Sequence, residues 1–117
     1  MAWALGLVTL GGILFIVLGW LAWFEKLPPN GVAGIRTRYT RASAENWYRT
    51  HHAAGPMLIF GGVAATMAGL AFFPFSVAGK LSNGLALAVV IAVGILLLVT
   101  ALGSWLFGTR ASRAAGG

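Results

Sequence analysis

The chain has no cysteine and no aspartate, and its only acidic side chains are Glu25 and Glu45. Without cysteine there are no disulfides, no thiolate metal sites and no cysteine nucleophile. Without aspartate, no Asp can orient a histidine in a hydrolytic triad, and two glutamates with two histidines are too few for a convincing metal site. Charge of either sign is scarce: Lys, Arg, Asp and Glu make up 9% of 117 residues, against about 25% in soluble domains. What fills the chain instead is apolar, at 59%. Residues 1 to 24, 50 to 79 and 81 to 109 carry no Lys, Arg, Asp or Glu, and each run exceeds the roughly 20 residues that cross a bilayer core. The composition predicts an all-α membrane protein with three transmembrane helices and leaves no room for a separate soluble catalytic domain.

The spans are expected at about 2–24, 53–75 and 84–107, forming one membrane domain with a loop at 25–52. The first run lacks a basic n-region and is long for a signal peptide, so it is read as a retained span. Trp3, Trp20, Trp23, Trp105 and Phe107 fall at span ends, where aromatic belts sit. Glu25, Lys26, Pro28, Pro29 and Asn30-Gly31 end the first helix. Pro74 falls at the far end of the second span, and a short connection, Ser76 to Asn83, carries Lys80 alone. Lys26, Arg36, Arg38, Arg41, Arg49, Arg110 and Arg113 lie on one side of the membrane and Lys80 on the other. Cation bias of this kind places the loop and C-terminus in the cytoplasm and the N-terminus outside, as expected for a multi-pass protein of a bacterial inner membrane. The +6 balance then points to anionic lipid head groups rather than nucleic acid.

Small residues recur at helical spacing: Gly11 and Gly19, then Gly61, Ala65 and Gly69, then Gly84, Ala88 and Ala92. Such stripes permit close helix approach and predict a hairpin of the second and third spans, closed by the first. No ionisable side chain lies mid-span, which argues against an ion-coupled transporter. Thr9, Thr66, Thr100 and Ser104 can each bond back to their own helix.

The loop holds the chemistry. Ile35, Thr37 and Tyr39 alternate with Arg36, Arg38 and Thr40, predicting a short extended passage. Ser43 is a good N-cap, Glu45 suits the first turn, and Glu45 to Arg49 has the favourable i to i+4 order. A short cytoplasmic interfacial helix is therefore predicted from Ala44 towards the second span, with a kink or junction at Gly55-Pro56. On it Trp47 and His51 share a face, while His52 points about 100° away. The loop arginines suit lipid phosphates, an acidic partner segment or a ligand carboxylate. The plainer reading is that they only satisfy the charge bias. Trp47 is either an interfacial anchor or the wall of a small pocket beneath the loop. No metal, cofactor or catalytic residue is assigned.

Asn30, Gly34-Ile35-Arg36-Thr37, Thr40, Ser43, Trp47 and His51 resemble the signature of the SdpI family of bacterial membrane proteins. The resemblance implies a three-span fold and a role like that of the family's namesake, which gives immunity to a secreted killing peptide and holds a transcriptional repressor at the membrane. It marks Asn30, Gly34, Arg36, Thr37, Thr40, Ser43, Trp47 and His51 as the binding or motif positions. The expectation is a protein that acts by binding, not an enzyme, with a membrane protein partner or homo-oligomer. The rival is a small accessory or assembly subunit of a larger membrane complex, respiratory or envelope-building. A weaker third reading is a transporter of hydrophobic substrate.

Overall fold

The computed structural model describes residues 1–116 as four helices: α1 (Ala2–Trp23), α2 (Arg38–Ala42), α3 (Ala44–Val77) and α4 (Asn83–Gly116). α1, α3 and α4 are each long and apolar enough to cross a membrane, which makes this a multi-pass membrane protein. Their outer faces carry large exposed apolar side chains such as Leu10, Phe60 and Ile95, as a surface solvated by lipid requires.

α3 is central and packs most extensively on α1, next on α4; α1 and α4 touch less. The most extensive seam, α1–α3, is built on glycine. A Cβ at Gly12 would lie 2.8 Å from the Thr66 nitrogen and 2.9 Å from the Gly62 oxygen, and one at Gly19 would lie 2.8 Å from the Gly55 oxygen. Small residues therefore do bring backbones together, across α1 and α3 as well as in the hairpin of α3 and α4. The α3–α4 seam uses Gly61, which receives the Thr100 side chain, and Gly108, whose Cβ position lies 2.6 Å from the Thr50 oxygen. The expected stripe Gly84, Ala88 and Ala92 is not part of either seam: all three are exposed. α4 buries Ala86, Val93, Thr100, Ser104, Gly108 and Ser112 instead, because those positions share the face turned to α3. Thr9, Thr66 and Ser104 return their hydroxyls to the carbonyls of Leu5, Gly62 and Ala101 at 2.7, 2.8 and 2.9 Å.

Three features differ from the sequence expectation. The passage from Ile35 to Thr40 is not extended throughout, because Thr37 and Thr40 cap each other and start the turn of α2. Ala44 does begin a helix, with Ser43 accepting the Asn46 N–H at 3.0 Å, but Gly55-Pro56 does not end it; the segment is continuous with the membrane span. Pro56 falls where α1 lies close against Gly55, so packing holds the helix through it. Finally, Arg110 and Arg113 lie on a helix that runs on to Gly116 rather than in a tail. At 1.5 Å per residue the 34-residue α3 and α4 each run about 51 Å, in a molecule 54 Å long and 20 Å across. A hydrocarbon core of about 30 Å leaves the start of α3 and the end of α4 standing out together on the loop side.

Candidate functional site

The loop from Phe24 to Thr37 folds back over the helix ends and is held by side chains of α3. Its first fixed point is Leu27, a buried residue whose carbonyl accepts the Trp47 indole N–H at 2.8 Å. Asn30 then builds the turn. Its Oδ1 accepts the N–H groups of Val32 and Ala33 at 2.8 and 2.7 Å, while its amide donates to the Pro28 carbonyl at 2.8 Å. An Asx turn of this kind is what a short polar side chain does best.

Gly34 has φ +106, a region nearly closed to residues with a Cβ. It brings Ile35 into position to donate its N–H to His51 Nε2 at 2.8 Å. The other ring nitrogen of His51, Nδ1, lies 2.7 Å from the Trp47 carbonyl. A backbone N–H only donates and a carbonyl only accepts, so Nε2 is the acceptor, Nδ1 carries the proton, and the ring is neutral. Burial lowers the His51 pKa from its ordinary 6.5, opposed by the bond to the Trp47 carbonyl, which favours the protonated form. The ring stacks on Trp47 with centroids 4.3 Å apart. His52 faces α1, its Nδ1 2.7 Å from the Trp23 carbonyl.

Beyond Ile35 the chain is pinned by threonines. Thr40 donates its hydroxyl to the Ile35 carbonyl at 2.7 Å and accepts the Thr37 N–H at 2.9 Å; Thr37 accepts the Thr40 N–H at 3.2 Å. Thr40, Trp47 and His51 are all buried, which takes Trp47 away from the role of an interfacial anchor. The structure thus brings Asn30, Gly34, Thr37, Thr40, Ser43, Trp47 and His51 into one scaffold. Arg36 is different. Its side chain is exposed and makes no hydrogen bond among the described residues; Glu45 pairs with Arg49 instead.

A cavity of about 160 Å³ lies beneath this loop, lined by Ile35 of the loop, Phe15 and Leu18 of α1, His51 and Leu58 of α3, and Ser104 of α4. With both His51 nitrogens engaged by backbone, no lone pair faces a metal. Among the described residues no three His or carboxylate groups converge.

A second recess of about 420 Å³ joins α2, α3 and α4, and sequence reasoning missed it. Its lining includes Tyr39, Asn46, Arg49 and Arg113. The Tyr39 hydroxyl and the Ser112 hydroxyl are 2.8 Å apart, Asn46 donates to the Tyr39 carbonyl at 3.0 Å, and the Arg113 guanidinium lies 4.6 Å from the Tyr39 ring centre. The signal was present: Thr100, Ser104, Gly108 and Ser112 repeat every four residues, which extends one small-residue face beyond the apolar span.

The model of the SdpI/YfhL protein family matches residues 26–112, from the loop through most of α4. No curated protein and no solved structure gives a significant match.

Proposed function

The chain belongs to the SdpI/YfhL protein family, and on that premise we propose that it acts by binding rather than by chemistry, in immunity to a killing peptide or in membrane signalling. The loop is the recognition surface. One observation carries this reading: Asn30, Gly34, Thr37, Thr40, Trp47 and His51 shape or hold the loop, Ser43 caps the helix beneath it, and Arg36 presents from that frame a guanidinium with no partner among the described residues. A planar fork presented in this way suits a carboxylate or phosphate, whether on a peptide or on an anionic lipid head group. The cation bias orients this surface towards the cytoplasm of a bacterial inner membrane.

A second reading, a small accessory or assembly subunit of a larger membrane complex, is favoured by the exposed stripe Gly84, Ala88 and Ala92 on α4. A Cβ at Gly84 would meet nothing within 4 Å, so that face is open to another helix. Mild-detergent purification followed by mass spectrometry separates the readings. Isolation alone or as a homo-oligomer, with Arg36-dependent resistance to a killing peptide, is expected of the first. A large stoichiometric partner would replace it with the second.

A further inference from the structure

The hydrogen bonds of His51 have a direction, and that direction depends on one proton. Nε2 accepts from the Ile35 N–H at 2.8 Å while Nδ1 faces the Trp47 carbonyl at 2.7 Å. A proton taken from solvent by Nε2 would turn it into a donor pointing at another donor, with the bond to Ile35 lost. Nδ1 would keep its bond. Protonation therefore breaks the contact between helix and loop and leaves the histidine anchored to its own helix.

We propose that neutral His51 is a proton-operated latch that holds Gly34 and Ile35 over the internal cavity, and that the protonated ring releases them. The loop segment it holds forms part of the cavity wall, so release opens an apolar space close to the size that admits one benzene ring. Its surroundings offer the cation nothing. The cavity side of His51 faces Phe15 and Leu18 from α1, Leu27 from the loop, and Ala101 and Ser104 from α4; none is charged, and the Ser104 hydroxyl is directed to the Ala101 carbonyl. On its other side lies the Trp47 ring. The charged groups nearest in the chain are directed elsewhere: Arg36 is exposed, Lys26 sits over the Trp20 ring at 5.4 Å, Glu45 and Arg49 pair with each other, and His52 is held on α1. Among the described residues no carboxylate is placed to hold the imidazolium in the closed state: Glu25 is exposed and Glu45 pairs with Arg49. Burial accordingly lowers the closed-state pKa below 6.5, and opening gains from protonation, by at most about tenfold per pH unit, between that value and the closed-state pKa. The latch is independent of what the loop recognises.

The chain has no cysteine, so single thiols report on it cleanly. In the intact 117-residue chain in detergent, Ser104→Cys lines the closed cavity and Val32→Cys lies on the exposed loop. The ratio of their labelling rates by a neutral maleimide cancels the pH dependence of thiol ionisation. That ratio is expected to rise as the pH falls below 6.5, by at most about tenfold per unit, then level off, and to stay constant in the His51→Gln background, where an amide can accept from Ile35 but does not titrate. A flat ratio with His51 present, or the same rise with Gln, overturns the proposal. Should His51→Gln fail to fold, hydrogen exchange in the unsubstituted chain decides. Loss of protection on acidification at Ile35, with Asn46 still protected, supports the latch; unchanged protection at Ile35, or equal loss along α3, overturns it.

Discussion

Gly34 lies so close to His51 that a Cβ on it would fall 2.7 Å from Nε2 and 3.3 Å from the Trp47 ring. The glycine is thus demanded twice, by the left-handed backbone at φ +106 and by the space the ring needs. The two motif positions are 17 residues apart in the chain and form one contact.

Gly34→Ala should therefore cost about 2 kcal/mol or more, the scale of a strained backbone position with an added clash. Gly31→Ala, where a Cβ meets nothing within 4 Å, should stay within about 0.5 kcal/mol. Thermal unfolding in detergent compares them, and equal losses would mean that the loop is not held against His51.

The α1–α3 seam should be the sensitive one. A Cβ at Gly62 would lie 2.6 Å from the Gly12 oxygen and 2.8 Å from the Ile16 nitrogen, both backbone atoms that cannot swing aside. Gly62→Leu is expected to lose about 1–3 kcal/mol or more by overpacking, whereas Gly84→Leu should be within about 0.5 kcal/mol. The melting temperatures of the two variants in the same detergent check this.

These two sites also show what a sequence can reveal of such a protein. Span number and placement follow from apolar runs because lipid leaves the backbone few alternatives. The Ser43 cap was legible because capping is local. Which glycine faces which helix was not: Gly12 and Gly84 look alike in composition, and only the assembled bundle separates them. The contacts of Leu27 with Trp47 and of Ile35 with His51 join residues 20 and 16 positions apart, beyond any local periodicity. The motif could be seen as a pattern, but its meaning, a loop sewn to a helix, came from the fold. The alternation from Ile35 to Thr40 misled because side-chain caps at Thr37 and Thr40 outweigh a six-residue strand signal with no partner strand.

Stability should fall on acidification. His51 is buried and neutral, with a folded-state pKa below the unfolded 6.5. Between those values the unfolded chain holds the proton and the folded chain does not, so the contribution is complete above pH 6.5, declines as pH falls through the interval, and is constant below the folded-state pKa. Melting temperature measured from about pH 8 to about pH 5 should drop, and His51→Gln should remove that part of the drop.

Orientation can be tested with thiols as well. Ser82→Cys in the Lys80 connection should label in intact cells with an impermeant reagent, while Val32→Cys should label only after the membrane is opened. The expectation rests on cation bias alone. Preferential labelling at Val32 in intact cells would invert the protein and remove the loop from the cytoplasm.

Arg36 separates the scaffold from what it presents. Exposed and unpaired among the described residues, it contributes little to the fold, so Arg36→Ala and Arg36→Lys should both melt within about 0.5 kcal/mol of the parent. Binding is another matter. If the guanidinium forks onto a carboxylate or phosphate, lysine supplies the charge but not the two parallel donors, and Arg36→Lys should lose resistance to a killing peptide, or a co-purifying partner, almost as fully as Arg36→Ala. Arg41 is also exposed but lies outside the motif positions, on the last turn of α2; there charge alone serves orientation, and Arg41→Lys should be tolerated. Full activity with lysine at position 36, at unchanged membrane accumulation, would reduce that arginine to a topology signal and leave the scaffold presenting no defined ligand group.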